Sequence, residues 1–511
     1  MNLKKIFAGA FGSNDPKYRT AKLWEMIFSG GTSGAKMVFY ILNMYASYAM
    51  NEGFGIAVAV TGIIIQGKTI FDGITDPVVA MIYDRLPVFK RVGKIRMFLL
   101  IGWALCSLSS IMMFNVLPHF VENNNLKGGA AGIAMFILVY AFFVVGYTIM
   151  SIGGASTISS ALTNDPKQRP FVTFITTIYQ RVGPMLMNTI LAFTILPKYN
   201  NEYNVASLSE ACFVFVIVAF FFVLLSCIGL RRIDTPEILG QMVALGGKQT
   251  KVGIKEIVNI FRENIPMRCY LVTGITDKIA SNAATQTVIL TLLNGILIAN
   301  YKTSTMINNV GTIIGFVFTF VGGMYIAKKG VKVATRTMSY LNIFINAGIF
   351  IFLLILGPDR MAEIGKGGAI MMLYVAFMLG VSAASMILNV AEGMMRADVI
   401  DYELSRSGKY MPGTVGAVYS LTEKIIASFG ATIAAVAVAA IGYKDKMPQM
   451  GDPATWSIFW VVAILTYGLP IIGWIANIIA MRFYELDYER MGEIQQEIAD
   501  VKKAAKSGGA K

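Results

Sequence analysis

The sequence is poor in charged residues, which occupy only 14% of its 511 positions. A soluble domain usually carries about a quarter of its residues as Asp, Glu, Lys or Arg, so this proportion argues against an ordinary soluble protein. Hydrophobic residues account for 55% of the chain, and the mean hydropathy is +0.61. This balance indicates a polypeptide whose main solvent is the lipid bilayer.

Cysteine and histidine are also scarce, with four copies and one copy respectively. The cysteines fall in apolar segments and have neither the paired spacing of a disulfide framework nor the spacing of a metal site. The single histidine, His119, follows Pro118 at the end of an apolar run, where we expect a solvated loop residue. Neither residue type therefore points to a disulfide scaffold, a metal centre or a proton relay.

Long apolar runs are what the sequence has in abundance. Twelve of them are long enough to cross about 30 Å of hydrocarbon. We therefore expect an all-α membrane protein with twelve transmembrane helices in two six-helix bundles, 1–230 and 267–482. A central cytoplasmic loop at 231–266 separates the bundles, and a cytoplasmic tail follows at 483–511. The predicted helices lie at 24–50, 55–82, 96–117, 131–162, 170–196, 208–230, 267–297, 304–327, 334–356, 369–397, 414–441 and 455–482.

The net charge of +14 would also suit a nucleic-acid-binding protein. Most of the Lys and Arg residues, however, fall in alternate connections between the apolar runs and near the two ends of the chain. This distribution follows the positive-inside rule and predicts a multi-pass plasma membrane protein with both termini in the cytoplasm. The basic residues are then expected to contact anionic membrane lipid, with no nucleic-acid partner.

One stretch fits the phosphate-binding pattern G-x-x-x-x-G-K-[ST], with Gly62, Gly67, Lys68 and Thr69 at the motif positions. A phosphate loop follows a strand and leaves its backbone N–H groups open to the ligand. Here positions 63–65 are isoleucines inside an apolar run, and unpaired backbone in a bilayer costs roughly several kcal/mol per group. We expect a continuous helix instead, and therefore no nucleotide site, no enzymatic activity and no cofactor.

The same predicted helix carries Lys68, Asp72 and Asp76 at intervals of four residues, so all three share one face. An ionisable side chain at the centre of a membrane helix costs about 2.5–3.5 kcal/mol and normally faces the protein interior or a water-filled pathway. Two carboxylates one turn apart repel each other unless a cation or a proton accompanies them. The spacing predicts a site for Na⁺ or H⁺. In the alternative interpretation, Lys68 neutralises Asp72 and the cluster only holds helices together.

Six short motifs occur along the chain: DGITDP at 72–77, DR at 84–85, GKIR at 93–96, LTNDPKQR at 162–169, ADVIDYE at 397–403 and SLTEKIIASFG at 420–430. In these motifs and their order, the chain resembles the glycoside–pentoside–hexuronide:cation symporters, the melibiose permease family. The resemblance spans most of the chain and implies uptake of a sugar or glycoside together with a cation. Basic, glycine-containing turns after the second and eighth helices agree with two related bundles of the major facilitator fold.

The resemblance also implies roles for individual residues. The family's cation site falls on Asp72, Asp76 and Thr148, with Thr75 where the family carries an Asn, and all four supply the oxygen ligands that a transported Na⁺ prefers. Lys424 matches the lysine between the sugar and cation sites. The cytoplasmic gate motif contributes three gating residues, Asp84, Arg85 and Arg96.

The sugar site departs from the family pattern. Lys36 and Ser151 stand where the family has carboxylates, Asn389 replaces a tryptophan, and Arg181 lies one turn beyond the family's arginine. Polar stripes on the first and fourth helices add further candidate substrate-binding residues, namely Tyr40, Asn43 and Tyr147.

The exchange of acids for bases predicts a substrate with a carboxylate, sulfonate or phosphate group, such as a uronide. In the alternative, Lys36 pairs with Asp72 or Asp76 and the substrate is neutral. The sequence thus predicts a monomeric secondary symporter. Three other functions remain open: a cation-coupled lysolipid carrier of the same superfamily, an exporter or antiporter, and a membrane sensor that does not transport.

Overall fold

The computed structural model describes residues 20–152, 162–163, 168–238, 262–407, 412–487, 489–494 and 496–497. Over these ranges the regular structure is entirely helical, which confirms the expected all-α class. Helices satisfy their own backbone hydrogen bonds, and this is what a bilayer requires of a chain without a closed barrel.

Twelve long helical stretches follow one another in the part of the chain that the structure describes, and a short helix, Ala362–Lys366, lies between the ninth and the tenth. Several are divided by short π-helical or 3₁₀ turns and are numbered here as single helices. They are α1 (23–53), α2 (Val58–Arg85), α3 (Ile95–Asn123), α4 (Ala130–Ile152), α5 (169–199), α6 (Val205–Gly229), α7 (265–297), α8 (Tyr301–Lys329), α9 (Val331–Arg360), α10 (Ala369–Ser407), α11 (Pro412–Ala440) and α12 (Trp456–Phe483).

Eight of these described helices are long and apolar enough to cross a membrane, judged by length and composition alone. The other four are α1, α2, α5 and α7. Helices α1 and α7 are divided into shorter segments, whereas α2 and α5 carry charged residues in their middle. The charges in the middle of α2 are Lys68, Asp72 and Asp76, and the two aspartates belong to the predicted ion site.

The chain divides into two compact units. The first contains Met1–Gln249, Tyr301–Met306 and Ala435–Asp452. The second contains Thr250–Asn300, Ile307–Ala434 and Pro453–Lys511. The end of α11 and the connection that follows it therefore belong with the first unit, although the rest of α11 and all of α12 belong with the second.

Within the first unit, α3 and α4 approach each other through small residues. A Cβ atom on Gly102 of α3 would lie 2.8 Å from the carbonyl oxygen of Gly146 and 2.6 Å from the backbone nitrogen of Met150, both on α4. Close approach of this kind lets two helices pack backbone to backbone in a membrane. The contact fixes the position of α4 at the turn that carries Thr148.

The N-terminus of α3 is capped by Asp234, which follows α6. Its carboxylate accepts hydrogen bonds from the three successive backbone N–H groups of residues 94–96, at 2.8, 3.1 and 2.8 Å. The Arg96 side chain pairs with the same carboxylate at 3.4 Å. Gly93 has φ +76°, and a Cβ there would overlap the carboxylate, so only glycine fits. Arg96 thus takes part in a contact inside the first unit, and its gating role stays a prediction.

The connection after α11, residues 441–452, is here called the strap, and it is held by buried polar side chains of α1. Asn51 Nδ2 donates to the carbonyl of Asp445 at 2.7 Å, and its Oδ1 accepts from the N–H of Met447 at 2.9 Å. The Tyr48 hydroxyl donates to the carbonyl of Pro448 at 2.7 Å. One asparagine therefore satisfies two backbone groups of the strap at once.

Helix α10 is longer than predicted. The sequence prediction ends the tenth helix at residue 397, whereas α10 continues to Ser407. Met395, Val399 and Glu403 recur at four-residue intervals and are all buried, so the extension has a packed face. The prediction stopped too early because the extension is polar in composition, and its helical form depends on tertiary packing.

Replacing Asn51 by alanine should lower the stability of the protein. The side chain is 4% exposed, and its loss leaves the buried N–H of Met447 and the part-buried carbonyl of Asp445 without their partner. An unsatisfied buried group costs about 1–3 kcal/mol, so the midpoint of thermal unfolding in detergent should fall clearly. Asn123→Ala, at an exposed position near the end of α3, is the matched control and should leave the midpoint unchanged. Equal midpoints for the two variants would contradict the proposal that the hydrogen bonds of Asn51 stabilise the strap.

Candidate functional site

Helix α2 runs without interruption from Val58 to Arg85, through every position of the phosphate-loop pattern. Its backbone N–H groups are used within the helix, so none of this stretch forms a phosphate-binding loop. The prediction of a continuous helix is confirmed. Lys68, Asp72 and Asp76 consequently lie along one face of α2, at intervals of four residues.

The four predicted cation-site residues come together where α2 meets α4. The Thr148 hydroxyl on α4 lies 3.1 Å from Asp72 Oδ1 and 3.2 Å from Asp76 Oδ1. Thr75 Oγ1 lies 3.4 Å from Thr148 Oγ1 and also donates to the backbone carbonyl of Asp72 at 3.2 Å. Thr148 is completely buried, and the other three side chains are half-buried.

This arrangement is suited to a hard cation or a proton. Two carboxylates and two hydroxyls offer oxygen only, the donor type preferred by ions that do not bind thiolate or imidazole. Thr148 carries a single hydroxyl hydrogen, so it can donate to one of the two carboxylates at a time. A positive charge between them would reduce their mutual repulsion and part of the cost of holding them away from water.

Two lysines approach the same part of α4. The ammonium group of Lys36 on α1 lies 5.5 Å from the centre of the Tyr147 ring, and that of Lys68 on α2 lies 5.9 Å from it. These distances are within the range of cation–π attraction. Tyr147 directly precedes Thr148. Two adjacent residues of α4 therefore contact groups of opposite charge: Tyr147 contacts the two lysines, and Thr148 contacts the two aspartates.

The other predicted substrate residues of the first unit have differing environments. The Asn43 side chain accepts a hydrogen bond from the Tyr140 hydroxyl at 2.7 Å. The Ser151 hydroxyl is buried and has no hydrogen-bond partner among the described residues. Tyr40 and Arg181 are exposed on α1 and α5. The structure thus gives Asn43 a partner within the protein, and the substrate-binding role of Ser151 stays a prediction.

Asn389 and Lys424, the remaining predicted substrate residues, lie in the second unit on α10 and α11. Asn389 is exposed and Lys424 is half-buried. Of the gating residues, Arg85 is exposed at the end of α2, and the side chain of Asp84 lies outside the described part of the structure.

Charged residues of the second unit have partners on other helices that sequence reasoning did not predict. Lys278 on α7 pairs with Glu423 on α11 at 3.7 Å. The Tyr419 hydroxyl of α11 donates to Glu392 of α10, and the Tyr419 ring stacks on Tyr270 at 4.7 Å. The available signal in the sequence was Glu423, a glutamate inside an apolar helix directly before Lys424. Its partner, Lys278, lies on a helix far away in the sequence, and spacing does not predict that contact.

Comparison with known proteins places these features in context. The family model described as MFS/sugar transport protein matches residues 27–488. The uncharacterized symporter YjmB of Bacillus subtilis (strain 168) is 20% identical over 496 residues, which cover 93% of this chain and 94% of that protein. The inner membrane symporter YicJ of Escherichia coli (strain K12) is 21% identical over 474 residues, with the same two coverages.

The fold has a close counterpart among solved structures. The crystal structure of a bacterial homologue of the iron transporter ferroportin, in an inward-facing state, matches with a TM-score of 0.59 and 13% identity. The match covers 95% of this chain and all of that one. At this identity the likeness concerns the fold alone, and together with the family match it confirms the major facilitator fold.

Thr148→Val should weaken ion binding, because valine keeps the shape of the side chain but removes the hydroxyl between the two carboxylates. A hydrogen bond to a charged group contributes about 1.5–3 kcal/mol, so the apparent ion affinity should fall about tenfold or more. Thr148→Ser should retain most of it. The measurement is the thermal stabilisation of the purified protein during titrations with Na⁺ and with pH.

Thr176→Val provides the matched control, since the Thr176 hydroxyl donates to the Val172 carbonyl of its own helix, away from the carboxylates. It should behave as the wild type does. An unchanged ion titration in Thr148→Val would mean that this hydroxyl has no part in the ion site.

Proposed function

The chain belongs to the MFS/sugar transport protein family, and from this premise we propose that it is a cation-coupled symporter of the glycoside–pentoside–hexuronide type. It uses the downhill entry of Na⁺ or H⁺ to take up a sugar or glycoside across the plasma membrane, with both termini in the cytoplasm. The single observation that carries the proposal is the convergence of Asp72, Asp76 and Thr148. The two relatives are named as symporters, which supports the symport part of the proposal.

The coupling ion occupies the oxygen cluster of α2 and α4. Two carboxylates one helical turn apart at bilayer depth are costly to keep charged, and a bound cation or proton reduces that cost. The state with the site filled therefore differs in energy from the state with the site empty. Coupled transport by alternating access depends on such a difference. The bundles should change between inward-facing and outward-facing states only when ion and solute are both bound or both absent.

The substrate is an anionic sugar, with uronides as the first candidates. Lys36 and Lys68 supply two positive charges beside Tyr147, the residue next to the ion-binding Thr148. A cation that binds to Asp72 and Asp76 cancels negative charge and so makes the potential near these lysines more positive. Ion binding then favours binding of an anion, and by linkage the anion favours binding of the ion to the same extent.

Uphill transport should be lost in Asp76→Asn and in Asp72→Asn. Either change removes one charged ligand of the ion, so an imposed ion gradient can no longer drive accumulation. The measurement is uptake of radiolabelled sugars and uronides into proteoliposomes with imposed Na⁺ gradients, H⁺ gradients or none. Asp359→Asn, at an exposed carboxylate near the end of α9, should transport as the wild type does.

The same assay separates the competing functions. Accumulation driven by one gradient identifies the coupling ion, and outward movement in exchange for the ion would indicate an antiporter. Concentrative uptake by either aspartate variant would exclude the proposed coupling site. A wild type that moves none of these solutes under any gradient would favour a lysolipid carrier or a sensor.

Lys36→Ala should abolish the preference for anionic over neutral sugars while preserving ion-dependent stabilisation at Asp72 and Asp76. A charge-assisted contact is worth about 1.5–3 kcal/mol, so the wild type should prefer a uronide over its neutral counterpart about tenfold or more. Competition with a transported radiolabelled solute measures this ratio. Lys302→Ala is the matched control, because Lys302 also lies over an aromatic ring, 5.8 Å from that of Phe193. Equal preference in wild type and Lys36→Ala would contradict the anionic-substrate assignment.

A further inference from the structure

A groove in the second unit runs between the start of α7 and the end of α12, and it plays no part in the proposed transport site. Its volume is about 430 Å³. The residues at its rim are apolar and exposed, namely Ile265 and Val272 on α7 and Ile479 and Phe483 on α12. Its floor is formed by small buried side chains, including Ala480.

The dimensions of the groove suit part of a lipid tail. Residues 265–272 of α7 and 476–483 of α12 each extend for about 10 Å along a helix, at 1.5 Å per residue. Small side chains on α12 leave a furrow where larger ones would fill the space between the helices. Because exposed apolar surface of a membrane-spanning helix is covered by hydrocarbon, an acyl chain is the natural occupant.

One charged residue lines the groove. Arg268 lies in the first turn of α7, is exposed, and takes part in none of the ion pairs within the described ranges. A cation in the first turn of a helix adds to the positive end of the helix dipole, so an anion placed there gains from both. Lys332 and Glu485 also act on Cys269 in the groove floor, with charges of opposite sign.

We propose that this groove is a specific site for an anionic phospholipid, with an acyl chain between α7 and α12 and the phosphate group bound by Arg268. A guanidinium group binds phosphate through two parallel hydrogen bonds, which makes Arg the residue suited to this contact. Basic pockets between helices on the cytoplasmic side of a membrane bind anionic headgroups in the same way. The assignment to the inner leaflet rests on the orientation proposed above; the lipid site itself does not depend on the transported solute.

The test is native mass spectrometry of the purified full-length protein, released from nanodiscs that contain equal amounts of phosphatidylglycerol and phosphatidylcholine with identical acyl chains. The wild type should retain phosphatidylglycerol about tenfold more than phosphatidylcholine. Arg268→Gln should retain the two lipids equally, because the acyl groove remains and the anion contact is lost. Ala476→Trp, which fills the groove, should retain neither.

Two controls match these variants. Arg336→Gln removes an exposed arginine near the start of α9, and Ile475→Trp adds the same bulk at an exposed position outside the groove. Both should retain phosphatidylglycerol as the wild type does. Equal retention of the two lipids by the wild type, an unchanged preference in Arg268→Gln, or a dimer in place of bound lipid would each overturn the proposal. Since the readout is bound lipid, failure here would leave the proposed symport unaffected.

Discussion

Two carboxylates that share one buried hydroxyl impose the constraint on which the rest of this site depends. Asp72 and Asp76 are one turn apart on α2, and both lie within 3.2 Å of Thr148 Oγ1. Because that hydroxyl has one hydrogen to donate, it cannot satisfy both acids at the same time. In the proposed symport, the transported ion reduces the repulsion between the two acids, and the local structure is then linked to the occupancy of the site.

Packing against α3 helps to position α4 beside this pair of acids. The contact between Gly102 and Gly146 brings the backbones of α3 and α4 together two residues from Thr148. The preceding residue, Tyr147, is about 100° further around the helix and lies beneath the ammonium groups of Lys36 and Lys68. Acids and bases from α1 and α2 therefore meet two adjacent residues of α4, and a small shift of this helix alters both sets of contacts.

Local periodicity explains most of what was predictable from the sequence. The shared face of Asp72 and Asp76 follows from helical spacing, and the family resemblance added Thr75 and Thr148, which the structure brings to the same place. Contacts between distant helices were not predictable, since the pair formed by Lys278 and Glu423 depends on how α7 and α11 pack. The polar end of α10 was missed for the same reason: its buried face exists only in the folded protein.

Solute-driven ion movement tests the central claim, the linkage of ion and solute at this site, most directly. Proteoliposomes that start without an ion gradient would receive an inward gradient of a transported uronide, while entry of ²²Na⁺ and internal pH are recorded. The account predicts that Na⁺ or H⁺ enters together with the uronide and becomes more concentrated inside than outside. Entry of the uronide with no accompanying movement of either ion would contradict it.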